Sequence, residues 1–363
     1  MRLLVPILAG LLLPGCTGAL DGLDPERGQQ PIPASLAKTI AAKGMTKGAP
    51  VMIRIFKTEN VLELWKRKPS GEYAMLRSYE ICKFSGKLGP KFKEGDRQAP
   101  EGFYEVGAHL MNPNSKYYLA INMGYPNAYD RSHGRTGSYL MIHGACSSAG
   151  CYSMTDDYAR EIYTVAREAF RAGQRRIQIQ AFPFRMTAAN MAKHREHEHF
   201  DYWRMIKPGY DQFEITRRPP VVNACASQYV FNMQGLDGKL PSTMAKRAAK
   251  AACPPMGMER GLATRVVARM DKDLRAFEAI VAKEEGREPK AIAPLTFATA
   301  FPGATLIGDE VEPAPAADPA PAADPAPAVA SAAETETPAA EAAPALPARV
   351  PEVSAEAIAS GGS

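Results

Sequence analysis

One short stretch brings together a thiol, an imidazole and a run of small residues: Ser138-Tyr-Leu-Met-Ile-His143-Gly-Ala-Cys-Ser-Ser148-Ala-Gly150-Cys151-Tyr-Ser-Met154. The apolar run ending in His143 reads as a buried strand, and the Gly-rich loop after it returns the chain to Cys151 just ahead of a helix. A thiol needs a nearby base or cation to act as a nucleophile at neutral pH. His143 lies eight residues upstream, within reach through a loop of small side chains. Gly150 lets the backbone N–H groups around the nucleophile approach an oxyanion, and a helix opening at Thr155 sets a positive dipole end near the sulfur. The chemistry on offer is acyl transfer through a thioester. By spacing alone, Cys151 reads equally as a structural cysteine beside a core histidine.

Other polar residues are weaker candidates. His194, His197 and His199 suggest a metal site, but on one helix His199 falls off the face shared by the other two. The interleaved Arg and Glu read as a solvated surface, so no metal and no cofactor are expected. Tyr117, Tyr118, Tyr125, Tyr129 and Tyr139, with Arg131 and His133, crowd the segment before the His143 strand and suit a peptide or glycan cleft. Packing and strand propensity account for tyrosines there equally well.

The positioning elements follow from pattern. A short helix is expected at Ser35–Lys43. Alternating strands follow at Val51–Phe56, Val61–Trp65 and Tyr73–Cys82, then near Tyr104–Gly107, Tyr117–Asn122 and Ser138–His143. Thr155 is an N-cap, Asp156 and Asp157 suit the first turn, and Tyr158, Ile162, Val165 and Ala169 recur at helical spacing up to Gly173. A strand at Arg176–Gln180, a helix from Thr187 to Ile206 closed by Pro208-Gly209, and a last strand at Phe213–Thr216 complete an α+β domain of mostly antiparallel sheet with flanking helices. The segments expected are a leader at 1–15, a tether and short helix at 16–47, the domain at 48–232, a helical extension at 233–304 and a disordered tail at 305–363. Within the extension Leu262–Ala282 is strongly patterned, and the tail's Ala/Pro/Glu repeats cannot bury a core.

The motif His143-Gly144 with Ser148-Ala-Gly150-Cys151 and Met154 resembles the L,D-transpeptidase catalytic (YkuD) domain, and Pro100-x-Gly102-x-Tyr104 resembles that family's upstream strand. The likeness to its YafK-like branch runs from about Val51 to Phe231. It includes Tyr117–Asn122, Pro126–Arg131, Pro183–Met186 and Lys207–Tyr210. The resemblance implies Cys151 as nucleophile, His143 as base, and Gly144, Ser148 and Gly150 as motif and oxyanion-loop positions. It implies peptidoglycan stem peptides as substrate, attacked at the L-centre of meso-diaminopimelate. The chain departs from the wider family in carrying Ser153 where an arginine usually follows the cysteine by two, and in its short His–Cys gap. Arg131, Arg135 or Arg185 are the candidate replacements for that cation. Both departures agree with the YafK-like branch, whose similarity implies hydrolysis of the link between peptidoglycan and an attached outer-membrane protein or lipoprotein. The alternatives are an L,D-transpeptidase making cross-links, and a non-catalytic peptidoglycan-binding lipoprotein.

The N-terminus sets the compartment. Met1-Arg2 and the apolar run Leu3–Leu13 form a signal-type leader too short to span a bilayer. Leu13-Pro-Gly-Cys16 resembles a bacterial lipobox, which implies lipidation of Cys16 and a periplasmic protein anchored to the outer membrane. Ordinary cleavage after Ala19 is the other reading. Export permits disulfides. With Cys16 and Cys151 set aside, Cys82, Cys146, Cys225 and Cys253 allow three pairings, of which Cys82–Cys146 with Cys225–Cys253 is preferred. A Cys146–Cys151 redox lock is a further option. From Asp309 to Glu356 the tail holds ten acidic residues and Arg349; without these and Arg2, 42 basic residues face 29 acidic ones, a body near +13. Such a body suits an anionic polymer, or serves solubility alone. No basic–aromatic cluster of nucleic-acid type is present.

Overall fold

The computed structural model describes residues 26–236 and 249–308. The expected leader, Cys16 and nearly all of the acidic tail lie outside the described residues.

Helix α1 (Ala34–Ala42) precedes the meander β1 (Val51–Phe56), β2 (Val61–Arg67) and β3 (Tyr73–Glu80). Strands β4 (Lys83–Phe84), β5 (Gly102–Val106), β6 (Met111–Ser115) and β7 (Tyr118–Asn122) lead to helix α2 (Ala128–Ser132). Then come β8 (Met141–His143), β9 (Tyr152–Ser153), helix α3 (Asp156–Arg171), β10 (Ile177–Phe182), and helices α4 (Ala188–Lys193) and α5 (Phe200–Thr216). The hairpin β11 (Val222–Cys225) and β12 (Gln228–Phe231) is followed by β13 (Gln234–Gly235), β14 (Met256–Glu259), α6 (Arg260–Glu284), α7 (Phe297–Ala300) and β15 (Thr305–Ile307).

Two five-stranded sheets organise the domain. The first has the order β3-β2-β1-β10-β5 and the second β4-β9-β8-β7-β6. Pairing in both is antiparallel except β1 with β10 and β8 with β9. Strand β1 is buried along its whole length because its period-two alternation serves two layers. Ile53 and Ile55 join Leu62, Ile142, Tyr152, Ile162 and Val165 in the core against α3, while Phe56 joins Phe103, Phe182, Trp203 and Tyr210 on the other side. Helix α3 starts as its sequence dictates: the Thr155 side chain accepts from the Tyr158 N–H, and Asp156 and Asp157 occupy the first turn.

Three expectations fail. The helix expected at Thr187–Ile206 breaks after α4, and α5 runs straight through Pro208-Gly209. Phe213–Thr216, expected as a strand, is the last turn of α5. Trp203, Ile206, Tyr210 and Phe213 explain both: their three- and four-residue spacing faces the aromatic core, and burying them outweighs the roughly 3 kcal/mol that an internal proline costs a helix. Gly209 allows that approach, since a Cβ there would meet the Phe103 ring at 2.5 Å. The third failure is the boundary at 305, because Thr305–Ile307 pairs in parallel with β14.

Residues beyond 232 pack onto the domain. Phe277 of α6 stacks on Phe200 at 6.1 Å, Lys207 reaches Asp273 at 2.5 Å, and Arg195 reaches Glu284 at 2.5 Å. No helix among the described residues is long and apolar enough to cross a membrane.

Candidate active site

Parallel pairing of β8 with β9 places the thiol and imidazole on one face. His143 is in register with Ser153, and Cys151 lies two residues before Ser153. With strands about 4.8 Å apart and a rise of about 3.3 Å per residue, the two Cα atoms are separated by roughly 8 Å. The loop between them is pinned throughout. Gly144 N–H donates to Leu119 O at 3.3 Å, Ala145 N–H to the Asp156 carboxylate at 2.7 Å, and Cys146 N–H to Met154 O at 3.2 Å. Ala145 and Cys146 hold left-handed backbone, φ 63° and 45°, a conformation that costs ordinary residues energy and persists because those contacts fix it. A disulfide joins Cys146 to Cys82, and another joins Cys225 to Cys253, the preferred pairing of the three. Cys151 is a free thiol, so the Cys146–Cys151 lock is not formed.

Two glycines in the loop are sterically required. A Cβ at Gly144 would collide with the Asp156 carboxylate and meet Tyr118 Cβ at 3.0 Å. Gly150 has φ 131°, a conformation that L side chains rarely adopt. Ser148 ties the loop to the nucleophile: its Oγ donates to Cys151 O at 2.7 Å and accepts from Cys151 N–H at 3.1 Å and Gly150 N–H at 3.3 Å. Ser85 Oγ donates to the same Ser148 oxygen at 2.9 Å. In the resting site the amides expected to hold an oxyanion, those of Gly150 and Cys151, are thus engaged by Ser148.

The imidazole is oriented from behind. His143 Nδ1 lies 2.6 Å from Gly144 O; with Nδ1–H as donor there, the lone pair falls on Nε2. Burial pushes the His143 pKa below its usual value, and the Gly144 contact opposes this. Cys151 Sγ donates to Tyr139 O at 3.5 Å. Burial pushes the thiol pKa up, opposed by a hydrogen bond from the Met141 backbone and by the charge of Lys91. At neutral pH the pair therefore rests as thiol and neutral imidazole. The expected helix-dipole activation is weakened, since the Asp156 carboxylate stands at the α3 N-terminus beside the loop.

The structure brings together only some of the proposed substrate contacts. Tyr139 is 73% exposed and lies at the thiol, and Tyr118 packs against Gly144. Tyr129 and Arg131 instead line a separate cavity of about 410 Å³ that contains neither Cys151 nor His143. His133 is exposed, its ring packed on Tyr129 at 4.3 Å, with Nδ1 3.0 Å from Tyr129 O. None of the three candidate arginines replaces the missing cation: Arg135 pairs with Asp130 at 2.8 Å, Arg185 with Glu63 at 2.5 Å, and Arg131 bonds Pro126 O. The cation felt by the thiol is Lys91, buried and anchored to Asp96 and to Lys93 O. It lies sixty residues from Cys151 in a Gly/Lys-rich loop, so no local spacing marks it. Tyr117, another of the clustered tyrosines, packs its ring on His143 at 4.8 Å.

The three histidines at 194–199 are not one solvated helical face. They straddle the break between α4 and α5, with His194 stacked on Phe184 at 4.6 Å and His197 on Trp203 at 4.4 Å. Among the described residues no three His, Cys, Asp or Glu side chains converge to hold a metal.

A profile of the L,D-transpeptidase catalytic domain (YkuD) matches residues 55–179. The chain is 46% identical over 232 residues to the Escherichia coli K12 protein named "Putative L,D-transpeptidase YafK", covering 64% of this chain and 91% of that one. Among solved structures, the helical cell shape determining protein Pgp2 of Campylobacter jejuni matches at 22% identity and a TM-score of 0.29, covering 40% of this chain and 54% of that one. Bdellovibrio bacteriovorus Bd1075 matches at 21% identity and a TM-score of 0.26, covering 38% and 50%. The chain thus spans about half the length of the solved structures it matches. On the profile and the YafK likeness, the chain belongs to the L,D-transpeptidase (YkuD) catalytic domain family, enzymes that act on peptidoglycan.

Proposed function

We propose that the protein is a periplasmic cysteine hydrolase that opens the amide joining the L-centre of meso-diaminopimelate to an attached envelope protein. His143 Nε2 takes the Cys151 proton as sulfur attacks the carbonyl carbon. A tetrahedral oxyanion forms, the C–N bond breaks, and the His143 proton goes to the departing amine. Water, deprotonated by the same imidazole, then cleaves the thioester and restores the thiol. The Gly150 and Cys151 amides serve the oxyanion once Ser148 Oγ gives them up, which makes substrate entry the step that arms the site. Anchoring to the outer membrane through lipid on Cys16 would hold the enzyme beside such tethered proteins.

What supports this reading is that Cys151, the single free thiol among the described residues, lies on the same sheet face as the His143 imidazole, in a site where Ser153 stands in place of the usual arginine. That serine is buried and donates to Lys83 O, leaving the position two residues after the nucleophile uncharged. Incubating mature protein with muropeptides carrying a diaminopimelate-linked peptide, followed by mass analysis, tests it. Release of the peptide without new bridges is expected. New diaminopimelate bridges would make the protein a transpeptidase, and binding without turnover would make it a wall-binding protein.

A further inference from the structure

With Ser153 uncharged, a cation for the carboxylates of a substrate at Cys151 has to come from elsewhere, and a loop packed on the nucleophile presents one. Residues 85–98 join β4 to β5 and touch both segments that flank the thiol. At one end Ser85 Oγ donates to Ser148 Oγ at 2.9 Å. In the middle, Thr136 N–H donates to Phe92 O at 3.0 Å. Ser138 Oγ donates to the Glu94 carboxylate at 3.2 Å, one residue before Tyr139, whose carbonyl accepts from the thiol. At the other end the Arg97 backbone closes on Gly150: its Cα lies 3.9 Å from where a Gly150 Cβ would sit. With about 3.8 Å to the next Cα, Arg97 Cα is within roughly 9 Å of the Cys151 Cα. The Leu140 side chain meets Gly150 at the same place, and the thiol contacts the backbone of both neighbours of Leu140, Tyr139 and Met141.

The loop fixes Arg97 in an unfavourable conformation. Its φ is 53°, left-handed backbone that is uncommon for a residue with a long side chain and persists where surrounding contacts impose it. Asp96 imposes it: its carboxylate accepts from the amides of Phe92, Lys93 and Gln98, each at 3.0 Å, and takes the Lys91 ammonium. Both carboxylates of the loop are therefore engaged, Asp96 in this way and Glu94 by Ser138. Arg97 is exposed, and among the described residues its guanidinium has neither a carboxylate nor a hydrogen-bond partner. An arginine fixed at its backbone and unpaired at its head, beside the residue that precedes the nucleophile, suits bidentate capture of a carboxylate.

We infer that Arg97 is a specificity-determining residue that takes the D-centre carboxylate of diaminopimelate while the L-centre carbonyl faces Cys151. That carboxylate belongs to the same residue as the attacked carbonyl, at the far end of its side chain, so the substrate itself keeps the two groups a short span apart. Burial divides the work between the cations. Lys91 is 3% exposed and acts on the thiol through its charge, whereas Arg97 is open to an arriving ligand. The inference rests on diaminopimelate being the residue attacked, and it names the group by which that residue is recognised.

The test uses two forms of the tripeptide L-alanyl-D-glutamyl-diaminopimelate, one with a free D-centre carboxylate and one with that group amidated. Calorimetric titration into the full Cys151→Ala protein should show the acid binding about tenfold more tightly than the amide. Arg97→Gln should abolish the preference, and Arg97→Lys should keep part of it. Lys93→Gln, which removes an exposed cation from the same loop without touching Gly150, should leave it intact. These are surface changes, so folded variants are expected, and their melting profiles check this. Equal affinity for acid and amide, no binding of either, a preference that survives Arg97→Gln, or one lost equally through Lys93→Gln overturns the inference. No turnover is measured, so failure of the hydrolase reading is seen separately, as absence of peptide release by the wild type.

Discussion

Removing the Ser148 hydroxyl tests how the nucleophile loop is held. Ser148→Ala deletes one donor and three acceptances: Cys151 O at 2.7 Å, Ser85 Oγ at 2.9 Å, Cys151 N–H at 3.1 Å and Gly150 N–H at 3.3 Å. Each such bond contributes about 0.5–1.5 kcal/mol net. Ser148 is only half-buried, so water replaces part of the loss, and a total near 2 kcal/mol is expected. In a domain of this size that corresponds to a melting temperature lower by about 4–8 °C. The larger effect should be kinetic. With its carbonyl and amide released, Cys151 drifts from its place beside β8, and a displacement of about 1 Å costs on the order of 100-fold in rate. Differential scanning fluorimetry and single-turnover kinetics on a linked muropeptide read the two effects. Ser85→Ala removes one of the four bonds and should give about a quarter of the stability loss. An unchanged melting temperature would mean the loop is held by the disulfide and Asp156 alone. A lower melting temperature with unchanged acylation would mean the hydroxyl has no part in presenting the thiol.

Lys91→Met removes the cation that opposes the upward push on the thiol, so the pH midpoint of Cys151 alkylation should move further up; an unmoved midpoint would remove Lys91 from the site. Lys57→Met leaves the Glu101 carboxylate, its partner at 3.0 Å, buried without its cation, and should cost about 3–5 kcal/mol by urea denaturation. The double variant Lys57→Met/Glu101→Gln should recover much of that loss, and no recovery would show that the pair's remaining hydrogen bonds matter more than its charge. Burial raises the Asp211 pKa to about 6, opposed by Lys207, so the folded state holds that proton more tightly than the unfolded one. Wild type should therefore lose stability relative to Asp211→Asn as pH rises from about 4 through 6, by an amount on the order of 3 kcal/mol; a pH-independent difference would refute the shift.

Local patterns were legible and long-range ones were not. The alternation of Val51–Phe56 and Val61–Trp65, the Thr155 cap and the small-residue loop around Cys151 are each written within about a dozen residues, and each forms, the second strand running on to Arg67. Pro208-Gly209 misled because the deciding contact, the Phe103 and Phe231 rings against Gly209, comes from strands remote in sequence. The parallel pairing of β1 with β10 likewise joins segments more than a hundred residues apart. Lys91 escaped notice for the same reason. The tyrosine-rich stretch before His143 pointed to a cleft, but it divides: Tyr117, Tyr118 and Tyr139 turn to the thiol side, and Tyr129 turns into the arginine-rimmed cavity. Chain proximity alone could not separate these, since α2 reverses the chain between them.

The central claim is that a neutral imidazole at residue 143 takes the proton of a neutral thiol at residue 151. Intact-mass measurement of the acyl-enzyme, followed against pH with wild type and His143→Gln, tests it most directly. Acylation confined to Cys151 is expected. Its rate should rise through a single limb below pH 6.5 and then level off, and His143→Gln should lower it by about 10²–10⁴-fold. A wild-type rate that climbs tenfold per pH unit through pH 8, or acylation that survives the loss of His143, would contradict it.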